Sequence, residues 1–203
     1  MDDNDRRRQG LTPALRGMAF VDAVRGSPAA GAVMAQGGAV ATARLRRRDR
    51  TAAKIMDRET LLVHVASWKS DGRTIAVANG CFDMFHRGHA ALVEAASRCA
   101  DRLIMAINSD GMVRRLKGSG RPVHGEQDRA FRLAAIGHVD AVVIFGEETP
   151  EELLRRILPD VLVKGGDYTV DRVVGRQYAK RIALVEYIHG YSTTEIAGAA
   201  RKG

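Results

Sequence analysis

The sequence predicts an α/β domain in which a five-stranded parallel sheet is covered by helices on both faces. Short apolar runs such as residues 74–78 and 161–163 alternate with segments whose apolar side chains recur at helical spacing. This alternation is typical of strands joined by crossover helices. The runs are apolar throughout, as expected of strands that are buried on both faces. The length of 203 residues suits one domain of ordinary size.

Local signals place the individual elements. Asp57 can cap a helix that presents Leu61, Val65 and Trp68 on one face, and Asp71-Gly72 forms the turn before the first strand. The further elements, in order, are the strand over 74–78, a helix over 89–100, a strand over 102–107, a helix over 126–137, a strand over 141–145, a helix that begins with a capping box at Thr149 and ends before Pro159, strands over 161–163 and 183–187, and a last helix from Thr194.

Residues 1–53 differ in composition from residues 54–203. The first segment is rich in Gly, Ala and Arg, and it holds ten arginines against five aspartates. The second holds 22 lysines and arginines against 19 aspartates and glutamates, and it has regular hydrophobic periodicity. We interpret residues 1–53 as a basic extension, poorly ordered or weakly helical, and residues 54–203 as the folded domain. Nucleic-acid binding is disfavoured, because the arginine cluster at residues 44–50 contains no aromatic residue.

Composition also bears on the compartment. No apolar run approaches the roughly 20 residues of a membrane-spanning helix. The N-terminus is acidic and lacks the cationic start of a secretory signal. Two cysteines, Cys81 and Cys99, are too few for a disulfide scaffold and favour a reduced compartment. We therefore expect a cytoplasmic protein that does not bind membranes.

The strongest candidate site is the loop over 79–89, which follows the first predicted strand. Ligands of open parallel sheets bind beyond the carboxyl ends of the strands. The loop has no dinucleotide-binding or Walker pattern but contains His86-Arg87-Gly88-His89. Two histidines three residues apart at a helix N-terminus can point the same way, and that end of a helix attracts phosphate. Such imidazoles can donate hydrogen bonds to oxygens that gain charge during phosphoryl transfer.

A metal site is the alternative interpretation of the two histidines. Its third ligand would have to come from Asp83, Asp110 or Asp167, and no further spacing suggests zinc. We therefore expect no metal ligands in the protein.

Two further loops follow predicted strands. In Lys164-Gly165-Gly166-Asp167-Tyr168 the glycines allow a ligand to approach the backbone, and Asp167 can accept a hydrogen bond from a sugar hydroxyl or an amine. In residues 190–194 the hydroxyl and N–H groups could bind a β- or γ-phosphate, although Ser192 with Glu195 also satisfies a capping box.

The segments 80–83 and 86–89 together resemble the signature of nucleotidyltransferases with the His-x-Gly-His motif. The resemblance implies a Rossmann-like five-stranded fold. It also implies transfer of a nucleotidyl group from a nucleoside triphosphate to a phosphate, with release of pyrophosphate.

A narrower resemblance covers the chain from about Lys54 to its end. It is to the D-glycero-β-D-manno-heptose 1-phosphate adenylyltransferases, which are free-standing or form the second domain of bifunctional ADP-heptose synthases. This implies transfer of AMP from ATP to a heptose 1-phosphate, giving ADP-heptose for lipopolysaccharide or another surface glycan. Residues 1–53 are too few for the kinase domain of such a synthase, and 29–43 faintly resemble its Gly/Ala-rich end. The segments that carry the resemblance are 79–83, 108–110, 115–118, 121–123, 158–160, 162–168 and 190–194.

The resemblance suggests roles for individual residues. His86 and His89 would stabilise the transition state, with Lys117 and Arg129 as phosphate contacts. Asp83 and Asp167 would act on the sugar or base side, and Cys81 would be a small side chain below the nucleotide. Mg²⁺ would arrive with ATP and need few protein ligands. The predicted nucleotide-binding residues are Gly80, Cys81, Phe82, Asp83, Gly88, Arg129, Lys164, Gly166, Asp167, Ser192, Thr193 and Thr194.

Two rival functions stay open. One is a cytidylyltransferase acting on glycerol 3-phosphate or a similar polyol phosphate. Such enzymes usually have an arginine before the Gly-x-Ser-Thr-Thr run, whereas Tyr187, Ile188 and His189 stand there in this chain. The other is a nucleotide-binding regulator without turnover. The partner hypotheses, besides ATP and a sugar phosphate, are a homodimer and a separate heptose kinase of the same pathway.

Overall fold

The computed structural model describes residues 50–166 and 169–185. Within these residues the strands form one fully parallel, six-stranded sheet with helices on both faces, which confirms the predicted fold class. In chain order the elements are β1 (Ile55–Met56), α1 (Arg58–Ser70), β2 (Ile75–Gly80), α2 (Arg87–Ser97), β3 (Arg102–Asn108), α3 (Asp110–Lys117), α4 (Glu126–Ala134), β4 (Ala141–Phe145), α5 (Glu151–Ile157), β5 (Val161–Gly165), two 3₁₀ turns (Val170–Arg172 and Arg176–Tyr178) and β6 (Arg181–Val185).

The strand order β1-β4-β3-β2-β5-β6 creates a crevice at the centre of the sheet. The chain leaves β2 towards β3 and β4 on one side, and it leaves β5 towards β6 on the other. Ala78 of β2 pairs with Val163 of β5, so the carboxyl ends of these two strands lie side by side. Such a reversal of direction is where open α/β sheets bind ligands.

Each face of the sheet has its own apolar core. On one face α2 and α4 cover the strands, and Val93 and Leu133 are almost fully buried. On the other face α1 and α5 do so, with Leu61 and Leu154 fully buried. The apolar runs of the sequence are explained by this double burial, since neighbouring strand residues contribute to opposite cores.

Several predicted bounds are shifted, among them those of α2, which begins at Arg87 and ends at Ser97, and of α4, which ends at Ala134. Four other differences concern whole elements, a cap or a strand's position. The edge strand β1 adds a sixth strand, held by β4, where the Val142 N–H donates to the Lys54 carbonyl at 2.8 Å. The helix α3 was not predicted and is capped by Ser109. The N-cap of α5 is Pro150 and not Thr149, without a side-chain capping bond. The strand β6 covers Arg181–Val185 and not 183–187.

Asp57 does cap α1, as predicted, and accepts from the Thr60 N–H at 2.7 Å. The predicted last helix from Thr194 lies outside the described residues. Of the extension over 1–53, only residues 50–53 are described. The boundary between residues 53 and 54 stays a prediction. No described helix is long and apolar enough to cross a membrane.

Candidate active site

A cleft of about 500 Å³ opens at the carboxyl edge of the sheet. It extends over the ends of β2, β3, β4 and β5 and therefore includes the central crevice. Sequence-predicted site residues that line it are Gly80, Cys81, Phe82, His86, Gly88, His89, Lys117, Lys164 and Gly166. The first and second candidate loops thus meet at one cleft.

The two histidines of the motif form a stacked pair at the start of α2. His86 is the N-cap residue, and its ring Nδ1 accepts from the backbone N–H of His89 at 3.3 Å. The ring centroids lie 3.8 Å apart with 21° between the planes. An accepting Nδ1 carries no proton, so the proton of neutral His86 is on Nε2 and is available to a ligand.

Both imidazoles are neutral at physiological pH. Burial lowers the pKa of His89 to about 4, and His86 and Lys117 add to this effect, against the Met84 carbonyl. Burial and then Lys117 also lower the pKa of His86. The ring of His89 also packs against Phe82 and Phe85, with centroid distances of 5.0 and 5.7 Å. The pair can therefore donate hydrogen bonds without adding positive charge.

Positive charge comes instead from three side chains of the cleft lining. Lys117 ends α3, Lys164 lies near the end of β5 and Arg172 lies in the 3₁₀ turn that follows β5. Burial lowers the pKa of Lys164 to about 8, although the neighbouring Cys81 thiol opposes the shift. Among the described lining residues the one carboxylate is that of Glu148. This excess of cations suits an anionic ligand such as a polyphosphate.

The ends of β2 and β3 bring Cys81 and Asn108 together. The Cys81 thiol donates to the Asn108 Oδ1 atom at 3.6 Å. Burial raises the pKa of Cys81, against the effect of nearby Lys117, so this side chain is a neutral thiol and not a nucleophile. At the end of β2, the Asn79 Oδ1 atom is buried and has no hydrogen-bond partner among the described residues.

Arg129 takes a different place from the one that the sequence suggested. Its guanidinium is fully buried and donates to the carbonyls of Cys81 (2.6 Å), Asn108 (2.8 Å) and His124 (3.0 Å), and to the Asp110 carboxylate (2.7 Å). It does not line the cleft. The predicted phosphate contact is therefore replaced by a structural role, in which Arg129 ties together the ends of β2 and β3.

Asp83 is likewise buried beneath the cleft. It accepts from Arg121 (2.6 Å) and from the backbone N–H groups of Val123 (2.7 Å) and His124 (3.1 Å). Burial acts to raise its pKa, but the His124 N–H, the Arg121 guanidinium and the Val123 N–H outweigh this and hold the pKa below its ordinary value. In this arrangement the carboxylate fixes the loop over 121–124 and is not part of the cleft lining.

The remaining predicted residues lie outside the described part of the chain. They are Asp167, Ser192, Thr193 and Thr194, and their roles stay predictions. Conversely, the cleft contains polar residues that were not among the predicted site residues: Asn79, Asn108, Glu148, Thr149 and Arg172. Four of these five end a strand or follow one by a few residues, so their position after a strand was the signal that could have found them.

A metal held only by side chains does not fit the described lining. No group of three or more His, Cys, Asp or Glu side chains converges among residues 50–166 and 169–185. One carboxylate beside three cations fits a divalent ion that is held mainly by the phosphates of a bound nucleotide.

A central crevice with paired histidines at a helix N-terminus, inside a cationic cleft, defines a nucleotidyltransferase of the His-x-Gly-His class. The comparison with protein families agrees, because residues 77–198 match the model of the family described as cytidylyltransferase-like. The chain belongs to this family, and it contains a nucleotidyltransferase domain.

Several curated relatives share the description "Bifunctional protein HldE". The chain is 48% identical over 153 residues to that of Mesorhizobium japonicum, which covers 73% of this chain and 31% of the relative. It is 52% identical over 151 residues to that of Gluconacetobacter diazotrophicus, and the alignment covers 72% of this chain and 31% of the relative. It is 43% identical over 201 residues to that of Rhodopseudomonas palustris strain BisB5, and the alignment covers 92% of this chain and 41% of the relative. The chain thus spans well under half the length of these relatives.

A solved structure, that of the lipopolysaccharide core biosynthesis protein from Thermoplasma volcanium, also matches. The TM-score is 0.47 at 19% identity, over 58% of this chain and 98% of that chain.

Proposed function

We propose that this chain transfers AMP from ATP to a heptose 1-phosphate, giving ADP-heptose and pyrophosphate. The observation that carries the proposal is the stacked, neutral His86–His89 pair at the edge of a cationic cleft. The similarity to the HldE proteins and the Lys164–Gly166 segment at the end of β5 support the heptose enzyme within the family.

The reaction is a direct displacement. A phosphate oxygen of the sugar phosphate attacks the α-phosphorus of ATP, a new P–O bond forms, and the bond from the α-phosphorus to the bridging oxygen breaks to release pyrophosphate. Such a reaction requires positioning and charge stabilisation more than covalent catalysis. The Nε2–H of His86 donates to an oxygen that gains charge, and His89 supports the ring of His86 by stacking and through its N–H.

The cations of the cleft neutralise the substrates. Lys117 and Lys164 approach from the β3 and β5 sides and can bind phosphate oxygens, while Gly88 leaves the N-terminus of α2 open to a phosphate. Mg²⁺ would arrive with ATP as part of the substrate and would screen the charge of the phosphates. Ser192, Thr193 and Thr194 are proposed as further contacts to the β- and γ-phosphates.

CTP with a polyol phosphate is the second candidate pair of substrates. The family description, cytidylyltransferase-like, is the observation that favours it. Adenine and cytosine present different hydrogen-bonding edges, so a site that pairs with one base leaves polar groups unpaired with the other. The residues that precede Gly190 lack the arginine that is usual in glycerol 3-phosphate cytidylyltransferases, which favours ATP.

The proposed acceptor implies an earlier phosphorylation step. A sugar 1-phosphate must be supplied by an earlier step that attaches the phosphate, either from a kinase domain of the same polypeptide or from a separate kinase. The description of the relatives as bifunctional supports such a supply.

Pyrophosphate release tests the proposal. The full chain is assayed with each of four nucleoside triphosphates against heptose 1-phosphate, other sugar phosphates and glycerol 3-phosphate. The proposal expects the highest kcat/KM for ATP with the heptose. A higher value for CTP with glycerol 3-phosphate would replace the heptose assignment by the second candidate.

A further inference from the structure

The loop over 146–150 joins β4 to α5 and is held in place at both ends. At its start, the Phe145 carbonyl accepts from the Ser109 N–H at 2.8 Å, so the end of β4 is tied to the end of β3. At its end, Pro150 is buried, and its carbonyl accepts from the Leu154 N–H at 2.9 Å. The backbone of this short loop is therefore fixed relative to the cleft.

Two adjacent glutamates of this loop face different surroundings. Glu147 forms an ion pair with Arg58 of α1 and does not line the cleft. Glu148 and Thr149 do line the cleft, and the Thr149 hydroxyl also lies 3.4 Å from Glu151 Oε2. Because Glu147 is held by Arg58, the fixed backbone directs the next two side chains to the cleft.

The carboxylate of Glu148 does not suit the phosphates of a nucleotide, since like charges repel. It does suit hydroxyl groups, which donate short and strong hydrogen bonds to a carboxylate. Thr149 adds an oxygen that both donates and accepts. A carboxylate and a hydroxyl side by side can bind neighbouring hydroxyl groups of a sugar.

The position of the loop indicates which substrate these groups would meet. Predicted nucleotide-binding residues lie at the ends of β2 and β5, whereas Glu148 and Thr149 follow β4, which β3 separates from β2 in the sheet. Lys117, at the end of α3, lines the same cleft and can bind the phosphate of an acceptor whose hydroxyl groups reach the loop. An in-line attack requires the acceptor to approach from the side opposite to the leaving pyrophosphate.

We propose that Glu148 and Thr149 form the acceptor subsite and select a polyhydroxylated sugar phosphate by binding its hydroxyl groups. This inference rests on the proposed function for the sugar-phosphate acceptor, and it adds the residues that recognise the sugar. It assigns no part of the chemical step to either side chain.

The first experiment compares Glu148→Gln and Thr149→Val with the control Glu147→Gln in the full chain. Acceptor affinity is measured by calorimetric titration of heptose 1-phosphate in the presence of α,β-methylene ATP, which cannot release pyrophosphate. Glu148→Gln should raise the acceptor Kd by about tenfold or more, and Thr149→Val by a smaller factor. The affinity for the ATP analogue, and both affinities in Glu147→Gln, should stay within about twofold.

The second experiment pairs the variants with acceptors that lack one hydroxyl group. Each ring-deoxy form of the heptose 1-phosphate is titrated into the wild type and into Glu148→Gln. For the hydroxyl that Glu148 binds, the deoxy acceptor should lose affinity with the wild type but lose little more with the variant. If the loss of affinity from the missing hydroxyl and the loss from Glu148→Gln multiply at every ring position, the two groups act independently and the inference is overturned. Equal effects of Glu147→Gln and Glu148→Gln on acceptor affinity would also overturn it.

Failure of the proposed function is recognised separately. If wild-type chain binds and uses another acceptor in the pyrophosphate scan and not the heptose, the proposed function is wrong. The same three variants are then compared on that acceptor. A selective loss of its affinity in Glu148→Gln supports the subsite, and unchanged affinity overturns it.

Discussion

The imidazoles of His86 and His89 stack with their centroids 3.8 Å apart, and the backbone N–H of His89 donates to the ring of His86. The second histidine of the motif therefore fixes the ring of the first in two ways. Burial lowers the pKa of both side chains, with Lys117 as the second cause for His86 and the neighbouring His86 as the second cause for His89. The pair acts as a neutral donor whose orientation is set before a ligand binds.

Replacement of either histidine should therefore reduce turnover much more than nucleotide binding. We expect His86→Ala and His89→Ala each to lower kcat by about 10²-fold or more, the size of effect produced by loss of one transition-state donor. The affinity for ATP should change much less. Steady-state kinetics together with equilibrium binding of ATP provide the measurement.

His138→Ala is the matched control, because His138 is exposed and does not line the cleft. It should keep the kcat of the wild type. Near-normal turnover in His86→Ala or His89→Ala would remove that residue from the mechanism.

The lysine at the end of β5 should produce an alkaline limb in the pH profile. Burial lowers the pKa of Lys164 to about 8, so its ammonium group is charged below pH 8 and becomes neutral above it. If the charged form binds phosphate, kcat/KM should fall as the pH rises through about 8. The acidic limb from His89 should lie far lower, since its pKa is about 4.

Lys164→Arg tests the assignment of that limb. Arginine stays charged throughout this range, so the limb should move to higher pH. Cys81→Ala removes the neighbouring thiol and should leave an alkaline limb in place. A limb that is lost in Cys81→Ala, or that is unchanged in Lys164→Arg, would show that Lys164 is not the titrating group.

Asp83 should contribute to stability above about pH 4. Its pKa is held below the ordinary value of 3.8, so the stabilising contribution is present above that value and is lost as the pH falls through the folded-state pKa. Asp83→Asn takes a charged acceptor away from the partly buried Arg121 and from two backbone N–H groups, and we expect a loss of about 1–3 kcal/mol in the free energy of unfolding at pH 7.

Urea titrations at pH 7 and below pH 4 measure this effect. The difference between wild type and Asp83→Asn should be full at pH 7 and should shrink below about pH 4. The exposed Asp128 provides the control, because Asp128→Asn should change the free energy of unfolding by no more than about 0.5 kcal/mol. Equal stability of Asp83→Asn and wild type at pH 7 would contradict the structural role.

The N-terminal boundary gives a prediction with a matched pair of truncations. A chain that begins at Arg50 retains β1 and Lys54, whose ammonium group donates to the Ile136 carbonyl at 3.3 Å. It should keep kcat/KM within about twofold. A chain that begins at Arg58 lacks the pairing of Ile55 with Val142 and should unfold at a lower urea concentration. Inactivity of the chain that begins at Arg50 would show that residues 1–49 are required for folding or for the site.

The sequence was sufficient for the sheet because its strands are buried on both faces, which leaves uninterrupted apolar runs such as that of β4. It was also sufficient for the Asp57 cap, a signal of short range. The edge strand β1 has two residues, too few to show periodicity. The helix α3 was hidden because two of its eight residues, Met112 and Val113, are buried, which leaves only a narrow apolar stripe.

The candidate site was predictable where a motif is local. It was less predictable where burial decides which groups a side chain contacts. His86 and His89 follow a strand directly, and the structure places both in the cleft. Arg129 and Asp83 were assigned to the ligand by their charge, yet they are 1% exposed and are bonded to other protein groups. Charge is visible in a sequence, but the partners of a buried charge depend on contacts between residues far apart in the chain.

The fate of the α-phosphate of ATP tests the central claim most directly. The full chain is incubated with heptose 1-phosphate and ATP that carries ³²P at the α-position, and the products are separated by charge and size. We predict that the label appears in ADP-heptose, that unlabelled pyrophosphate forms in equal amount, and that CTP is used at least about tenfold less efficiently, since one or more base groups are left unpaired. Label that never enters a nucleotide sugar, in an assay where labelled CTP is transferred to glycerol 3-phosphate, would contradict the account.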